Sequence, residues 1–92
     1  MITSKMKRRM RKELSAEKPT IWVGKEGATT QIINEINRQL EQREVVKAKI
    51  LQTALKTEQA KTIAAMVSRQ TGSTLIDLRG HTLILYKKRK RK

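Results

Sequence analysis

The sequence predicts an α/β fold, a two-layer or three-layer sandwich in which three helices pack on a mixed four-stranded sheet. Apolar residues recur with helical spacing in three segments, and with strand-like alternation or clustering in four others. These segments follow one another in the order α-β-α-β-α-β-β, and strands that alternate with helices are typical of layered α/β folds. The length of 92 residues is that of a single domain, which we place at residues 1–86.

Three segments have the spacing of amphipathic helices. The first, residues 4–16, is basic and has one narrow apolar stripe, so we expect it to lean on the folded body. The second begins at residue 29 or 30 and ends near residue 42. The third covers residues 57–71 and stops at Gly72, which suits a left-handed cap. The apolar positions are Met6, Met10 and Leu14, then Ile32, Ile33, Ile36 and Leu40, then Ala60, Ile63, Ala64 and Val67.

Four shorter segments have the composition of β-strands. Residues 20–23 form an apolar run, and in residues 44–52 apolar side chains alternate with lysines. The last two, residues 74–78 and 82–86, are joined by a short connection in which Gly80 can supply the positive φ of a tight turn. The folded part is therefore expected to close with a β-hairpin.

Charge is concentrated at the two ends of the chain. The formal net charge is +14, from 22 Lys and Arg against 8 acidic residues. Residues 1–18 carry seven basic and two acidic residues, a net of +5, and residues 87–92 add +6. Such a chain concentrates anions and releases counterions when it docks on phosphates, which favours nucleic acid as the partner. We expect residues 87–92 to be a basic tail that is disordered without a partner.

Other residue types limit the possible chemistry. The chain has no cysteine and one histidine, so neither disulfides nor a metal site is expected. Its serines, aspartate and histidine have no catalytic context, so we expect a non-enzyme with no catalytic residues, no cofactor and no small-molecule substrate. No run of about 18 apolar residues and no secretory signal is present. We therefore expect a cytoplasmic monomer that does not enter a membrane.

A loop of the form Gly-x-x-Gly joins the first strand to the second helix. Two glycines let the backbone approach a phosphate closely, and the helix that follows offers free amides and the positive end of its dipole. The KH loop clamps a nucleic-acid backbone by the same logic. An ordinary strand-to-helix turn is an alternative, and the acidic residue in the loop counts against a phosphate site. The candidate residues are Gly24, Lys25, Glu26 and Gly27, with Thr29, the expected N-cap, and Thr30.

Basic residues elsewhere could extend this site into a track. The alternative is a solvated sheet face, since charged runs are commonly exposed. Beside a phosphate-binding loop the track is favoured, although the single histidine taken alone is interpreted as a turn or surface residue. The candidates are Arg43, Lys47 and Lys49 around the second strand, and Arg79 and His81 on either side of the hairpin glycine.

Aromatic residues are scarce, which bears on how bases could be recognised. Trp22 and Tyr86 are the only two, whereas proteins that stack single-stranded bases usually display several rings. Trp22 is close to the loop, but a tryptophan in a strand is more often part of the core. The sequence therefore favours recognition of a nucleic-acid backbone over base stacking.

An ordered series of motifs resembles the CRM domain family, whose name stands for chloroplast RNA splicing and ribosome maturation. The resemblance covers about residues 5–87. Glu26 departs from the neutral residue often seen in the family's loop, and the basic tail is not part of the family core. The motifs are Ile21–Thr29, with an apolar strand, Gly-Lys-x-Gly and threonine; Glu44–Ile50; Lys61 with the helix after it; Arg69–Gly72; and Arg79–Tyr86, which is similar to the family's Gly-x-x-Leu/Val-x-Leu-Tyr close.

The resemblance implies a fold similar to the C-terminal domain of bacterial translation initiation factor 3, with the Gly24–Gly27 loop in contact with RNA. A single domain resembles the prokaryotic members linked to precursors of the large ribosomal subunit. The implied partner is therefore RNA, and more narrowly ribosomal RNA or a large-subunit precursor. Two alternatives stay open: a basic protein that binds DNA or RNA without specificity, and a scaffold for acidic proteins.

Overall fold

The computed structural model describes residues 3–14, 17–55 and 59–88, which build one mixed four-stranded sheet with helices against it. The elements are α1 (Ser4–Leu14), β1 (Ile21–Val23), α2 (Thr30–Arg43), β2 (Val45–Ile50), α3 (Gln52–Leu55), α4 (Ala60–Thr71), β3 (Thr74–Arg79) and β4 (Thr82–Tyr86). The strand order is β1-β2-β4-β3, with β1 parallel to β2 and the other neighbours antiparallel. The expected α/β fold is confirmed. No helix in these ranges is long and apolar enough to cross a membrane.

One face of the sheet carries the hydrophobic core. Val46, Ala48 and Ile50 of β2 are buried on this face, as their alternation with lysines predicts. The apolar stripes of α2 and α4 pack over them, and the removal of this apolar surface from water is the main stabilising contribution. The buried members of the core are Ile21, Val23, Ile33, Ile36, Leu40, Val46, Ala48, Ile50, Ala54, Ile63, Ala64, Val67, Leu83 and Leu85.

The opposite face, which we call the open face, is covered only in part, by α1. This helix contacts β3, and its Met10 and Leu14 are half-buried, which agrees with a basic helix that leans on the body. Ile84 of β4 is buried outside the main core, on the same face as Lys47. The Lys47 Nζ donates to the carbonyl oxygens of Leu14 at 2.9 Å and Glu17 at 2.7 Å. Helices therefore lie on both faces, and the arrangement has three layers.

The second strand is shorter than expected, and a fourth helix follows it. The expected strand over residues 44–52 ends at Ile50, because the ladder partners stop there: Ile50 pairs with Val23, the last residue of β1. Without further partners the chain turns at once, and the Ala54 amide donates to the Leu51 carbonyl at 3.0 Å. The one-turn helix α3 that results makes the expectation of three helices wrong by one short element.

Other expected boundaries fall partly outside the described residues. The helix expected over residues 57–71 begins at Ala60, and residues 56–58 are not among those described. The helix expected over residues 4–16 ends at Leu14, and residues 15–16 are likewise outside the description. Of the expected disordered tail, residues 89–92 lie outside it too, so the expectation stays a prediction for them. For Lys87 it is wrong, because the Lys87 amide donates to the Glu44 carbonyl and its Nζ donates to the Thr71 carbonyl, both at 2.9 Å.

Local caps and turns follow the sequence closely. The Thr29 hydroxyl oxygen accepts a hydrogen bond from the Ile32 amide at 3.2 Å, which confirms the N-cap of α2. Gly72 ends α4 with φ of 65°, and Gly80 has φ of 60° in the hairpin turn. Glu44 was not expected to be special, yet it ends α2 in the left-handed region with φ of 64°.

Candidate nucleic-acid interface

The Gly24–Gly27 loop is a hydrogen-bonded turn with its two charged residues at the tip. The Gly27 amide donates to the Gly24 carbonyl at 2.9 Å, which leaves Lys25 and Glu26 as the central residues of a β-turn. Both central side chains are exposed. The Thr29 amide then donates back to the Gly27 carbonyl at 3.0 Å, so the chain enters α2 immediately after the turn.

The two glycines of the loop have different structural requirements. Gly27 has φ of 71°, a region that side chains with a Cβ adopt only with strain. Gly24 is not in that region, and a Cβ built on it would lie 4.0 Å from Leu51 Cδ1, an ordinary contact. The fold therefore requires glycine at position 27 but would accept alanine at position 24.

The N-terminus of α2 adds hydrogen-bond donors next to the loop. Thr29 accepts from Ile32 through its side chain and from Ile33 through its carbonyl, at 3.2 and 2.9 Å. The amides of Thr30 and Gln31 make no hydrogen bond within the described part of the chain. Free amides at a helix start carry partial positive charge and point away from the helix. The loop and this helix start therefore offer donors to the same region.

Three segments of the chain meet at one edge of the sheet, which we call the loop edge: Gly24–Gly27, Leu51 and Gly80–His81. Because β1 and β2 are parallel, both end there, and the β3–β4 turn reaches the same edge. The Leu51 amide donates to the Val23 carbonyl at 2.9 Å, and the Ile50 amide donates to the His81 carbonyl at 2.6 Å. The predicted loop and the predicted hairpin residues are thus neighbours, although more than 50 positions separate them in sequence.

Next to the loop edge, a row of paired residues crosses the open face. Trp22 pairs with Lys49, Lys49 with Thr82, and Thr82 with Arg79. We call these four residues the Trp22 row. Lys49 and Arg79 are exposed, and Trp22 is 52% exposed, so the expectation that Trp22 belongs to the core is wrong. The reason is register: its strand neighbours occupy the core face, so Trp22 must project from the other face.

Two predicted residues of the track have other surroundings. Lys47 lies on the open face, but its ammonium group is bonded to carbonyls at the end of α1. Arg43 is at the far end of α2, about 20 Å from the helix start at 1.5 Å rise per residue. It lies 3.9 Å from the Glu17 carboxylate. The structure brings Lys49 and His81 to the loop edge and places Arg79 at the far end of the Trp22 row, three strands away from β1. It does not bring Arg43 to the loop edge.

A polar cleft of about 220 Å³ lies between α1 and the open face. Arg79 and Thr82 of the Trp22 row form part of its lining, so the row leads into it. Arg79 Nε lies 4.0 Å from the Asp77 carboxylate. The sequence did not predict this cleft, because its walls come from elements that are far apart along the chain. The lining residues are Arg11, Lys47, Asp77, Arg79, Thr82 and Ile84.

Some basic residues outside the loop edge are neutralised by ion pairs, so they are poor candidates for binding a phosphate. Arg38 donates to Glu35 at 2.6 Å on α2, and this hydrogen bond, followed by one from Gln39, lowers the pKa of the Glu35 carboxyl. Glu35 therefore stays anionic and balances Arg38. Within residues 3–14, 17–55 and 59–88, no three His, Asp or Glu side chains gather as a metal site would require. The groups that the loop edge presents to a ligand are the Lys25 ammonium and hydrogen-bond donors of the backbone.

Comparison with known proteins identifies the family. The CRS1 / YhbY (CRM) domain matches residues 2–87, nearly the whole chain. The chain belongs to this family. One relative, called a probable RNA-binding protein of Methanocaldococcus jannaschii, is 34% identical over 88 residues, and the match spans 96% of this chain and 65% of that protein. The probable RNA-binding protein YqeI of Bacillus subtilis is 33% identical over 90 residues, and the match spans 98% of this chain and 92% of YqeI.

A solved structure has the same CRM-domain architecture. The solution structure of a hypothetical protein from Staphylococcus aureus superposes with a TM-score of 0.80 at 31% identity. The match covers 99% of this chain and 93% of the other. The motif-based assignment to the CRM family is confirmed. The likeness to the C-terminal domain of initiation factor 3 stays a prediction.

Proposed function

We propose that this CRM domain is a non-enzymatic RNA-binding protein that grips an RNA backbone at the loop edge. Two relatives over nearly the whole chain are called probable RNA-binding proteins, and the net charge of +14 favours a polyanionic partner. In this proposal the protein acts as a cytoplasmic monomer, and its partner is ribosomal RNA in precursors of the large subunit. Support for that narrower partner comes from the resemblance to single-domain prokaryotic members.

The meeting of several phosphate-binding features at one edge carries the proposal. The exposed Lys25 ammonium lies in the turn, and the free amides at Thr30 and Gln31 follow it. The Trp22 row begins two positions before the turn and carries the cations Lys49 and Arg79 across the sheet. The absence of a side chain at Gly24 has no explanation in the fold. It leaves the backbone open to close approach, which a phosphate oxygen needs for short hydrogen bonds to amides.

Substitutions in the loop test this directly. We expect Lys25→Ala to weaken binding of a structured ribosomal RNA fragment roughly tenfold, since a charge-assisted hydrogen bond is lost. Gly24→Ala should weaken it too while leaving the fold intact, because its Cβ fits the fold but fills space next to the backbone. Fluorescence anisotropy with labelled RNA gives the affinities, and far-ultraviolet circular dichroism checks the fold.

Lys18→Ala is the matched control for the loop variants. The Lys18→Ala substitution removes the same charge from an exposed position. Lys18 precedes β1, so it lies at the opposite end of that strand from the loop. Equal losses for the Lys25 and Lys18 variants would contradict a site at the loop edge. Crosslinking in cells followed by sequencing of the bound RNA tests whether the partner is ribosomal RNA of the large-subunit precursor. If that RNA is not enriched, this part of the proposal is wrong.

A second candidate function is general coating of DNA and RNA by the basic ends of the chain. The observation that favours it is α1, an 11-residue helix with basic residues exposed and no residue fully buried. In this case the affinity for nucleic acid depends only on the net charge of the protein, and the residues of the loop edge contribute no more than other exposed residues of the same charge. Salt titrations with DNA and RNA separate this function from the first, since general coating predicts equal affinities and equal salt dependence for both nucleic acids.

A further inference from the structure

The exposed tryptophan is the feature of the open face that the fold does not explain. Trp22 leaves 52% of its surface exposed, while Ile21 and Val23 on either side of it supply the burial that anchors β1. Exposed indole rings are enriched where proteins contact a partner, because the ring offers a large rigid face at low entropy cost. The helix on this face, α1, contacts β3 and Lys47, whereas Trp22 lies on the edge strand β1.

The position of Trp22 relative to the loop is fixed by the chain. Gly24 follows Trp22 by two positions, which is about 7 Å at the rise of a β-strand. A phosphate held at the loop therefore places its own or a neighbouring base within reach of the indole ring. Nothing in the loop itself offers a flat face, since its side chains are Lys25 and Glu26.

The rest of the Trp22 row is suited to the backbone of the same strand. Lys49 is exposed and forms no ion pair within the described residues, and exposed Arg79 lies at the other end of the row. Three strand spacings of roughly 4.8 Å give the row a length of about 14 Å. At roughly 3.4 Å per stacked nucleotide, that is the length of about four nucleotides. Beyond Arg79, the 220 Å³ cleft with Asp77 and Arg11 continues the path.

We infer that the open face binds a single-stranded RNA segment, with a nucleobase stacked on Trp22 and the adjoining backbone along Lys49 and Arg79. This inference rests on the proposed function and specifies the kind of RNA. A ring face next to a phosphate-binding loop matches the alternation of base and phosphate along a strand. Bases inside a duplex are already stacked on one another, so they cannot take up this contact. The single tryptophan thus adds base stacking to a site that the sequence predicted to recognise backbone alone.

The chain carries its own probe, because Trp22 is its only tryptophan. We expect a single-stranded RNA of about ten nucleotides to quench Trp22 emission in proportion to the fraction bound. A duplex RNA of the same sequence should bind through the loop edge, as anisotropy reports, without comparable quenching. Unchanged emission when the single strand saturates the protein would overturn the inference.

Substitutions at the ring provide an independent measurement. Trp22→Ala should weaken single-strand binding at least about fivefold, and Trp22→Phe, the matched control that keeps an aromatic face, should restore most of the affinity. Neither change should reduce duplex affinity appreciably. Both variants should fold, since half of the side chain is already in water. Equal single-strand affinities for wild type, Trp22→Ala and Trp22→Phe would also overturn the inference.

The two proposals fail in different ways. If the wild-type protein binds neither RNA form, or if Lys25→Ala and Gly24→Ala bind as well as wild type, the proposed function fails. If loop-dependent binding is present but Trp22 emission and the Trp22 variants show no single-strand effect, only this inference fails. An acidic protein that quenches Trp22 while RNA does not would assign the open face to a protein partner and would also overturn it.

Discussion

Two lysines on the same face of one strand have separate roles. Lys47 donates to the Leu14 and Glu17 carbonyls at 2.9 and 2.7 Å, so it fastens the end of α1, where the helix dipole favours a cation. Lys49, two residues on, is exposed in the Trp22 row. One side chain is thus structural, and the other is available to a ligand.

Exchanging each lysine for methionine should separate these roles. We expect Lys47→Met to lower the free energy of unfolding by about 1 to 2 kcal/mol, because two charge-assisted hydrogen bonds are lost at a partly exposed site. Lys49→Met should leave stability nearly unchanged and lower RNA affinity. Chemical denaturation measures the first effect, and amide hydrogen exchange should show faster exchange in α1 for the Lys47 variant only. A stability loss of the same size in both variants would contradict the assignment.

These residue roles show where sequence reasoning stops. Alternation predicted correctly that Lys47 and Lys49 share a face, and that Val46, Ala48 and Ile50 occupy the other. It could not predict that α1 would contact β3 and end over Lys47, which leaves Trp22 of β1 largely exposed. That placement decides both that Lys47 is bonded and that Trp22 is exposed, and it depends on contacts between elements far apart in sequence.

At the scale of elements, the junction between α2 and β2 holds a strained residue. Glu44 has φ of 64°, and it ties the junction together: its amide donates to the Leu40 carbonyl and its own carbonyl accepts from the Lys87 amide, both at 2.9 Å. The left-handed region costs a residue with a Cβ roughly 1 kcal/mol. The two hydrogen bonds hold the backbone in this conformation despite that cost.

Glycine at this junction should relieve the strain. We expect Glu44→Gly to raise the free energy of unfolding by about 1 kcal/mol relative to Glu44→Ala, which removes the same carboxylate but keeps the Cβ. Thermal or chemical denaturation of the two variants gives the difference. If Glu44→Ala is as stable as Glu44→Gly, the backbone at this position carries no strain.

Elements whose ends are set locally were predicted well, and those set by neighbours were not. Thr29, Gly72 and Gly80 act within a few residues of themselves, so residue type was sufficient to predict them. The end of β2 at Ile50 and the helix α3 after it depend on where the partner strand β1 stops. The left-handed Glu44 is likewise fixed by its bond to Lys87, a residue from the other end of the chain.

For the molecule as a whole, the proposed function gives separate contributions to the charge at the two ends and to the shape of the loop edge. The net charge of +14 predicts that the affinity for nucleic acid falls steeply with salt concentration. In a plot of the logarithm of the binding constant against the logarithm of the salt concentration, each neutralised phosphate of a single strand contributes roughly −0.7 to the slope. Charge of this kind acts on DNA and RNA alike. Preference for RNA must then come from the loop edge and the open face.

Removal of residues 89–92 tests this division. The variant loses four cations, so its salt dependence should become shallower for DNA and RNA alike, while the ratio of RNA to DNA affinity should stay near the wild-type value. Lys25→Ala should lower that ratio instead. Titrations from about 50 to 200 mM salt with both nucleic acids give these quantities. If wild type binds both equally with equal slopes, general coating by the basic ends is the better description.

The main-chain hydrogen bonds at the loop edge have a consequence for how such domains diverge. The links from Leu51 to Val23 and from Ile50 to His81 are made by backbone atoms, so they do not depend on the identity of the exposed side chains at this edge, provided that the core residues stay apolar and no proline replaces a donor. The contact residues around them can therefore change at little thermodynamic cost. Relatives that share about a third of their residues with this chain, as those of 34% and 33% identity do, can keep one backbone scaffold while the side chains that it displays at this edge differ.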